Sequence, residues 1–268
     1  MLEVVNVYFK YPGGSEVLKG ASFSVRRGEV VAIIGRNGSG KTTLLLVASG
    51  LLTPQKGEVL LDGEPLDKQL PEARRRMGLV FQDPDDQLFN PTVYDELAFA
   101  PRQLGYSEED VKKMVEDLAG RLGLSGLLGR PPYKLSMGEK RKVALASVLV
   151  YNPELLLLDE PTANLSAKSV EELVEMIGGF REDGKAVVVT SHDVEFVARV
   201  ADRVYVLYDG ITLGGGAARE VLTDEGFLRL ADAEPPYAFR VAKNLGLECK
   251  PLTLEELLEC WSNTRRTP

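Results

Sequence analysis

The sequence lacks any long run of apolar residues. Its longest apolar stretches lie near Leu44–Ala48, Val143–Tyr151 and Leu155–Leu158, and none approaches the roughly 18 residues that a membrane-spanning helix needs. No basic segment followed by an apolar core opens the chain, so no secretory signal peptide is predicted. We therefore expect a cytosolic chain that meets a membrane only through a partner.

Cysteine and histidine are scarce. The 268 residues include two cysteines, Cys249 and Cys260, and one histidine, His192. So few cysteines, with no Cys-x-x-Cys pattern, exclude a disulfide-rich scaffold and a zinc ribbon, and we expect two idle thiols in a reducing compartment. A lone histidine is more often structural than functional, so only its surroundings can assign it a role.

Acidic residues outnumber basic ones. The sequence has 32 Lys and Arg residues and 40 Asp and Glu residues, which gives a formal net charge of −8. Nucleic-acid-binding surfaces need clustered positive charge, so no nucleic-acid partner is expected. A small phosphate site remains compatible, because backbone N–H groups supply much of the positive potential there. The composition, 44% hydrophobic and 27% charged, also excludes a disordered or collagen-like chain.

What the chain does contain is a succession of strand and helix patterns. Residues 2–34 alternate apolar and polar positions and lead into an apolar run at Val30–Ile34, which predicts antiparallel strands followed by a buried strand. Helical spacing follows at residues 93–150, and strands alternate with helices from Leu155 to Tyr208. This order predicts an α/β fold with a mostly parallel central sheet. Residues 216–268 are predicted to be helical.

The most specific local pattern is Gly35–Thr42, which matches Gly-x-x-x-x-Gly-Lys-[Ser/Thr]. A predicted strand precedes it and a predicted helix follows, as a phosphate-binding loop requires. Lys41 is predicted to bridge the β- and γ-phosphates of ATP, and Thr42 to hold Mg²⁺. The loop residues predicted to cradle the phosphates are Arg36, Asn37, Gly38, Ser39 and Gly40.

A pair of carboxylates forms the second predicted site. Asp159 and Glu160 follow the apolar strand Leu155–Leu158, and ligands of parallel sheets bind at the carboxyl ends of strands. Asp159 suits the Mg²⁺ shell, while Glu160 suits a base or a positioning group for the attacking water. Two acids after a strand are also ordinary strand-end polarity; the phosphate loop favours the catalytic interpretation.

Three more motifs occur in a particular order. Gln82 follows a predicted strand, Leu-Ser-Met-Gly-Glu at 135–139 opens a predicted helix, and His192 follows the predicted strand Ala186–Thr190. With the phosphate loop and the carboxylates, this order resembles the ATP-binding-cassette (ABC) ATPases. The resemblance implies a P-loop NTPase fold with an N-terminal antiparallel β-subdomain and a helical signature subdomain.

By that resemblance the ABC ATPase domain covers residues 1–215, with its signature subdomain at about 90–150. Residues 216–268 would be a small helical extension that contributes to ATPase–ATPase dimerisation. The apolar residues of this extension are expected to pack either against the partner's extension or against their own chain.

The resemblance also implies a head-to-tail dimer, in which each ATP lies between the phosphate loop of one subunit and the signature helix of the other. Ser136 and Gly138 would then contact the partner's ATP. Gln82 would sense Mg²⁺ and a transmembrane partner, and His192 would hold the γ-phosphate and orient Glu160.

At the other end of the nucleotide, Tyr11 matches the adenine-stacking position of the family and Thr43 matches an α-phosphate contact. Phe9 is the competing candidate for the stacking role, and Tyr11 beside Pro12 is also compatible with simple packing.

The signature differs from the usual Leu-Ser-Gly-Gly-Gln at Met137 and Glu139. Ser136 and Glu139 also fit a capping box, which would hold the helix start without any role for ATP. Ser166 replaces the aspartate usual in the loop after Glu160. Complete catalytic residues beside an altered signature lead us to expect a heterodimer with a different ATPase.

The segment from Asp83 to Phe99, together with the C-terminal extension, is similar to the ATPases of energy-coupling-factor importers. That resemblance implies import of vitamins or transition-metal ions, a transmembrane coupling protein, a separate substrate-capture membrane protein, and a place at the cytoplasmic face of the membrane. Five apolar residues are expected either to line a groove for the coupling protein or to form the core of the helical subdomain: Leu88, Phe89, Val93, Leu97 and Phe99.

Other interpretations remain open at this stage. A non-transport cassette protein of translation or DNA repair usually carries two cassettes or a coiled coil, which this chain lacks. A non-hydrolysing, ATP-dependent clamp is disfavoured by intact Glu160 and His192. A kinase or a GTPase would leave the signature helix unexplained, and a GTPase would also need an Asn-Lys-x-Asp motif. We therefore expect a Mg²⁺-dependent ATPase that drives transport.

Overall fold

The computed structural model describes residues 1–264 and contains two β-sheets. The strands, in chain order, are β1 (Leu2–Lys10), β2 (Glu16–Val25), β3 (Val30–Ile34), β4 (Lys56–Leu61), β5 (Glu64–Pro65), β6 (Met77–Val80), β7 (Leu155–Asp159), β8 (Ala186–Ser191), β9 (Arg203–Tyr208) and β10 (Ile211–Ala217). Antiparallel strands form a sheet in the order β2-β1-β4-β5.

The central sheet has the order β10-β9-β3-β8-β7-β6. Strands β3 and β6 to β9 run parallel, and β10 runs antiparallel to β9. The predicted mostly parallel α/β fold and the N-terminal antiparallel subdomain are thus confirmed. Strand β10 was not predicted, and the expected domain boundary at residue 215 falls inside it.

The α-helices surround these sheets. They are α1 (Lys41–Ala48), α2 (Leu66–Gln69), α3 (Val93–Gln103), α4 (Glu108–Leu122), α5 (Met137–Leu149), α6 (Ala167–Glu182), α7 (Val194–Val200), α8 (Ala218–Leu222), α9 (Glu225–Ala231), α10 (Tyr237–Asn244) and α11 (Leu254–Thr264). Within residues 1–264, no helix combines the length and hydropathy needed to cross a bilayer.

The central strands are apolar because both faces of their sheet are covered. Alternate residues of β3 enter opposite cores: Val31 and Ile33 pack with α1 and the antiparallel sheet, whereas Ala32 and Ile34 pack with helices α5 to α9. Every residue of β3, β7 and β8 is buried. This double burial explains why these strands read as continuous apolar runs.

Helices α3, α4 and α5 form a third core, which contains Val93 and Leu97 with no exposed surface. Of the two predicted alternatives for these side chains, the core is the one observed, because they fill the interior of the helical subdomain and do not line a surface groove. Phe89 and Phe99 do remain exposed, and their rings meet edge to face with centroids 5.1 Å apart.

The extension after β10 packs α10 against α11 through Ala238, Ala242 and Leu257. Cys249, in the segment between these two helices, is joined by a disulfide to Cys260 of α11, with Cα atoms 6.5 Å apart. The expectation of two separate thiols is thus wrong. Composition alone missed it because the pairing depends on the helical hairpin, which brings together two residues 11 positions apart.

The extension also touches the ATPase domain. The Tyr237 N–H donates to Glu195 on α7 at 2.7 Å, and Asp232 lies 3.7 Å from Arg36. The extension is therefore anchored beside both the phosphate loop and the helix that follows His192.

Candidate active site

The carboxyl ends of three neighbouring strands position the site. Strands β3, β8 and β7 are adjacent and parallel, with Ile34 opposite Ser191 and Asp159 opposite Thr190. The phosphate loop follows β3, the carboxylates end β7, and His192 follows β8. Motifs far apart in sequence therefore meet at one edge of the sheet.

The phosphate loop joins β3 to α1 in a shape that requires glycine. Gly40 has a φ of 100°, and a Cβ there would lie 3.0 Å from Cγ1 of Val17. A Cβ on Gly35 would lie 2.5 Å from the carbonyl oxygen of Leu207. The backbone thus turns tightly and leads directly into the N-terminus of α1, which favours an anion.

Within this loop, Arg36, Asn37 and Gly38 are exposed, whereas Lys41 is only 6% exposed. The Ser39 hydroxyl oxygen is buried and has no hydrogen-bond partner among residues 1–264. Because buried hydroxyl groups normally find a partner, this group is suited to a bound phosphate.

Lys41, Asp159, Glu160 and His192 form what we term the catalytic cluster. The Lys41 ammonium donates to the Gly35 carbonyl at 2.8 Å and lies 3.1 Å from Oε1 of Glu160. The other carboxylate oxygen of Glu160 accepts from the backbone N–H of His192 at 3.2 Å and lies 2.8 Å from its Nδ1. Glu160 is 4% exposed, so these contacts hold a buried carboxylate.

Asp159 binds two hydroxyl groups. Thr42 donates to one carboxylate oxygen at 2.6 Å, and Thr190 donates to the other at 2.5 Å. A buried carboxylate beside an exposed hydroxyl is an all-oxygen donor set, which fits Mg²⁺. The side chains predicted to hold the metal, Thr42 and Asp159, are therefore neighbours.

A cavity of about 360 Å³ opens beside this pair. Gln82, predicted as a catalytic and metal-sensing residue, lines it together with Thr42 and Asp159. Met137 and Arg141, from the start of α5, line its other side. The helical subdomain therefore reaches the catalytic cluster of its own chain.

The segment from Ser136 to Glu139, which we term the signature turn, is a capping box at the start of α5. The Ser136 hydroxyl donates to Glu139 at 2.7 Å, and the Ser136 N–H donates to the same oxygen at 2.8 Å. The bond from the hydroxyl helps to hold the pKa of Glu139 below its usual value. Ser136 and Gly138 lie outside the catalytic cluster, and the serine already has a partner in its own chain.

Tyr11 and Thr43 lie together, since the Tyr11 hydroxyl is 3.2 Å from Oγ1 of Thr43. Tyr11 is exposed, whereas Phe9, the competing stacking candidate, is buried in the core behind it. Their rings meet edge to face at 5.0 Å. Of the two aromatic residues, Tyr11 is thus the one that a nucleotide base can reach.

Two residues of the site were missed by sequence reasoning. Thr190 donates to Asp159 and accepts from the N–H of Glu160 at 3.1 Å; its place at the end of a predicted parallel strand was the available signal. Arg141 is buried and donates to the carbonyl of Glu160 at 3.0 Å. It sits between Lys140 and Lys142, and such a basic run normally indicates a solvated face.

Known proteins share both the motifs and the fold. The ABC transporter family model matches residues 18–163. An energy-coupling factor transporter ATP-binding protein, EcfA of Methanocaldococcus jannaschii, is 42% identical over 88% of this chain and 86% of its own length. The chain belongs to the energy-coupling-factor type of ABC transporter ATP-binding proteins.

Two further relatives agree with this membership. The cobalt import ATP-binding protein CbiO of Rhodobacter capsulatus is 44% identical over 87% of this chain and 85% of its own. The structure of cbiO1 from Clostridium perfringens, described as part of the transporter complex cbiONQ, has a TM-score of 0.74 and 36% identity over 85% of this chain and 92% of that one. The family resemblance expected from the motifs is confirmed, and ATP binding in the service of transport follows from membership.

Proposed function

We propose that this chain hydrolyses ATP with Mg²⁺ to drive an energy-coupling-factor importer. The observation that carries the proposal is the catalytic cluster itself. Lys41, Glu160 and His192 converge at the phosphate loop, next to Asp159 and Thr42. This is the set of charges and proton acceptors that phosphoryl transfer to water requires.

In the proposed reaction, Glu160 leaves its contact with Lys41 when ATP enters, because the γ-phosphate attracts the ammonium group more strongly than one carboxylate does. The freed carboxylate positions a water molecule and accepts its proton. His192 keeps Glu160 oriented and contacts the γ-phosphate. Lys41, the Ser39 hydroxyl and the loop N–H groups stabilise the charge that develops on the phosphate oxygens.

Thr42, Asp159 and Gln82 would hold Mg²⁺. When bound, this ion offsets the negative charge of the phosphates. The hydroxyl groups of Thr42 and Thr190 orient Asp159 for the metal, because each of its two oxygens accepts a hydrogen bond from one of them.

The active form that we propose is a head-to-tail dimer that closes around ATP. Tyr11 would stack on adenine and Thr43 would contact the α-phosphate, while Ser136 and Gly138 of the partner would close the site. A heterodimer is favoured because Ser136 is engaged by Glu139 of its own chain and Met137 puts a side chain where the family usually has glycine. Ser166, the other departure, serves as the cap of α6.

The extension is proposed as a second contact between the two ATPases. Its helices α10 and α11 expose a set of large apolar side chains: Tyr237, Val241, Leu245, Leu254 and Leu258. Isolated apolar residues are common on surfaces, but a set on two packed helices is typical of an interface.

The coupling protein of the membrane is proposed to dock beside Phe89 and Phe99. Phe89 is 68% exposed, and Phe99 also lines a cleft of about 270 Å³ with Leu51, Leu79 and Leu104. A helix with an apolar face would fit such a surface. This dock would place the chain at the cytoplasmic face of the membrane, with the substrate-capture protein bound indirectly. The cargo would be a vitamin or a transition-metal ion, the two classes that the energy-coupling-factor resemblance implies, and the name of the cobalt-import relative favours the metal ion.

The proposal is tested by purifying the tagged chain from native membranes and identifying what comes with it. A second ATPase, a multi-span protein and a small membrane protein are expected, and the small protein would point to the cargo. Ribosomal or DNA-repair partners would contradict the transport role and leave only the ATPase.

The heterodimer is tested separately by titrating the purified chain with ATP and Mg²⁺ while its mass is followed. A weak homodimer with low turnover is expected. A tight, fully active homodimer would contradict the heterodimer proposal.

A further inference from the structure

Three consecutive basic residues of α5 contact three different parts of the chain. Lys140 pairs with Asp85 at 2.6 Å, and Lys142 pairs with Glu172 of α6 at 2.7 Å. Arg141, between them, turns inward and is 8% exposed. The two lysines thus make ordinary ion pairs, whereas the arginine is buried at the active site.

Arg141 joins two backbone carbonyl groups of the site. One of its terminal nitrogens donates to the carbonyl of Glu160 at 3.0 Å, and the other donates to the carbonyl of Gln82 at 2.9 Å. Its Nε lacks a hydrogen-bond partner within residues 1–264. A buried guanidinium with an unpaired N–H is unfavourable as a purely structural element, so a further role at the site would explain its presence there.

The backbone of Glu160 supplies one reason. Glu160 has a φ of 42°, a left-handed conformation that is strained for a residue with a side chain and persists only where the surroundings enforce it. The N–H of Glu160 donates to both the hydroxyl and the carbonyl oxygen of Thr190, each at 3.1 Å. The carbonyl of Glu160 accepts from Arg141. Arg141 and Thr190 thus hold the two sides of the strained Glu160 residue.

The Gln82 segment supplies the other reason. Gln87 accepts from the N–H of Phe81 at 3.1 Å and donates to the carbonyl of Ala144 on α5 at 2.8 Å. Together with the Lys140–Asp85 pair, this contact fastens residues 81–87 to α5. Arg141 therefore connects this unit to the Glu160 peptide.

We infer that Arg141 is a positioning residue for ATP hydrolysis, which holds the Glu160 peptide and couples it to the Gln82 segment. The inference rests on the proposed function, because it assumes that Glu160 positions the attacking water. Arg141 itself contacts neither the water nor the phosphates in this scheme. It acts on the rate through the geometry of Glu160.

The first test compares Arg141→Met and Arg141→Lys with the neighbouring control Lys142→Met, in the full chain. Because misplacing a catalytic group costs up to about 100-fold, we expect kcat to fall about 10- to 100-fold in Arg141→Met, with KM for ATP within about threefold of the original. Lysine keeps the charge but lacks the planar guanidinium group that donates two hydrogen bonds at once. The kcat of Arg141→Lys should therefore lie between those of Arg141→Met and the original chain. Lys142→Met should keep its kcat.

The second test adds each substitution to Glu160→Gln. If Arg141 acts through Glu160, Arg141→Met should lower the residual kcat of Glu160→Gln by less than about twofold. A structural defect would instead multiply the two losses. If Arg141→Met fails to fold, Arg141→Lys takes its place in both tests.

A third readout needs no turnover. His192 is the only histidine in the sequence, so protein purified without a histidine tag gives a single set of imidazole NMR signals. Because this ring lies 2.8 Å from Glu160, Arg141→Met should shift or broaden its signals at constant pH, while Lys142→Met should not.

Turnover of Arg141→Met within about threefold of the original chain, multiplied losses in the double variant, or an unchanged His192 signal would each overturn the inference. A purified original chain that binds but does not hydrolyse ATP would contradict the proposed function instead. In that case the His192 signal alone decides whether Arg141 positions Glu160.

Discussion

The catalytic cluster and the signature turn are both expected to serve ATP, but their side chains are held in different ways. Lys41, Asp159 and Glu160 are buried and each contacts more than one group. Ser136 is exposed, Glu139 is half-buried, and the two bond chiefly to each other. The first region has its geometry set by the central sheet, and the second by a local cap that any helix could carry.

The difference suggests how one chain can treat two ATP sites unequally. A buried, multiply bonded group is preorganised, so binding energy is not needed to arrange it. A serine that already caps its own helix must exchange that bond for a phosphate contact, and the net gain is small. In the proposed dimer, this chain would therefore use its own ATP and contribute less to the partner's site.

The largest expected effect comes from Glu160→Gln. Removing a general base typically lowers the rate about 100- to 10,000-fold, and we expect a loss of about 1,000-fold in kcat with ATP binding retained. Steady-state ATPase and nucleotide-binding assays measure the two quantities. Retention of most of the activity would show that Glu160 is not the base.

The next largest effect is expected for Lys41→Ala. The substitution removes a phosphate contact and leaves the buried Glu160 carboxylate without its cation, so ATP affinity should fall about 100-fold or more. Titration with a fluorescent ATP analogue measures this affinity, and Lys142→Ala on α5, which removes an ion pair with Glu172 of α6, is the control. Unchanged affinity would contradict the assignment of the phosphate loop.

A smaller effect is expected for Thr190→Val. The isosteric change removes the hydroxyl group that donates to Asp159 and accepts from the Glu160 N–H. The Glu160 N–H keeps the Thr190 carbonyl as a partner, whereas one buried oxygen of Asp159 loses its donor, which costs about 1–3 kcal/mol. We expect kcat to fall about tenfold and the thermal midpoint to fall as well. Thr190→Ser should have a kcat and a thermal midpoint close to those of the original chain. If it does not, the losses in Thr190→Val cannot be assigned to the hydroxyl group.

The smallest effect is expected for Ser136→Ala, which tests the other side of the comparison. Loss of the cap should lower the free energy of unfolding by about 1 kcal/mol and change the turnover of the isolated chain little. Ser107→Ala, which removes a similar cap from α4, is the control. A tenfold loss of turnover at unchanged stability would mean that Ser136 serves ATP after all.

The sequence predicted most of the catalytic cluster because these residues follow apolar strands that both faces of the sheet bury. Lys41, Asp159, Glu160 and His192 come from motifs whose spacing is visible in one dimension. The parallel sheet then brings them together.

Other features escaped because they depend on three dimensions. The role of Arg141 depends on which face of α5 turns inward. Because Lys140 and Lys142 flank it, the sequence does not show which of the three basic residues is buried. The Cys249–Cys260 disulfide depends on the pairing of α10 with α11. Likewise, Val93 and Leu97 have the same apolar spacing whether they line a groove or fill a core, and only the packing of α3 on α5 decides.

The left-handed backbone of Glu160 limits how this position can evolve. Asparagine, aspartate and glycine tolerate such a backbone best, but none of them carries a carboxylate as far as glutamate does. Glutamine has the right length and no charge. Each single substitution therefore either keeps a strained backbone or loses the carboxylate that the reaction needs. Lost activity at position 160 is most readily regained by reversion to glutamate. A lineage that once lost this glutamate would keep a cassette that binds ATP without hydrolysing it.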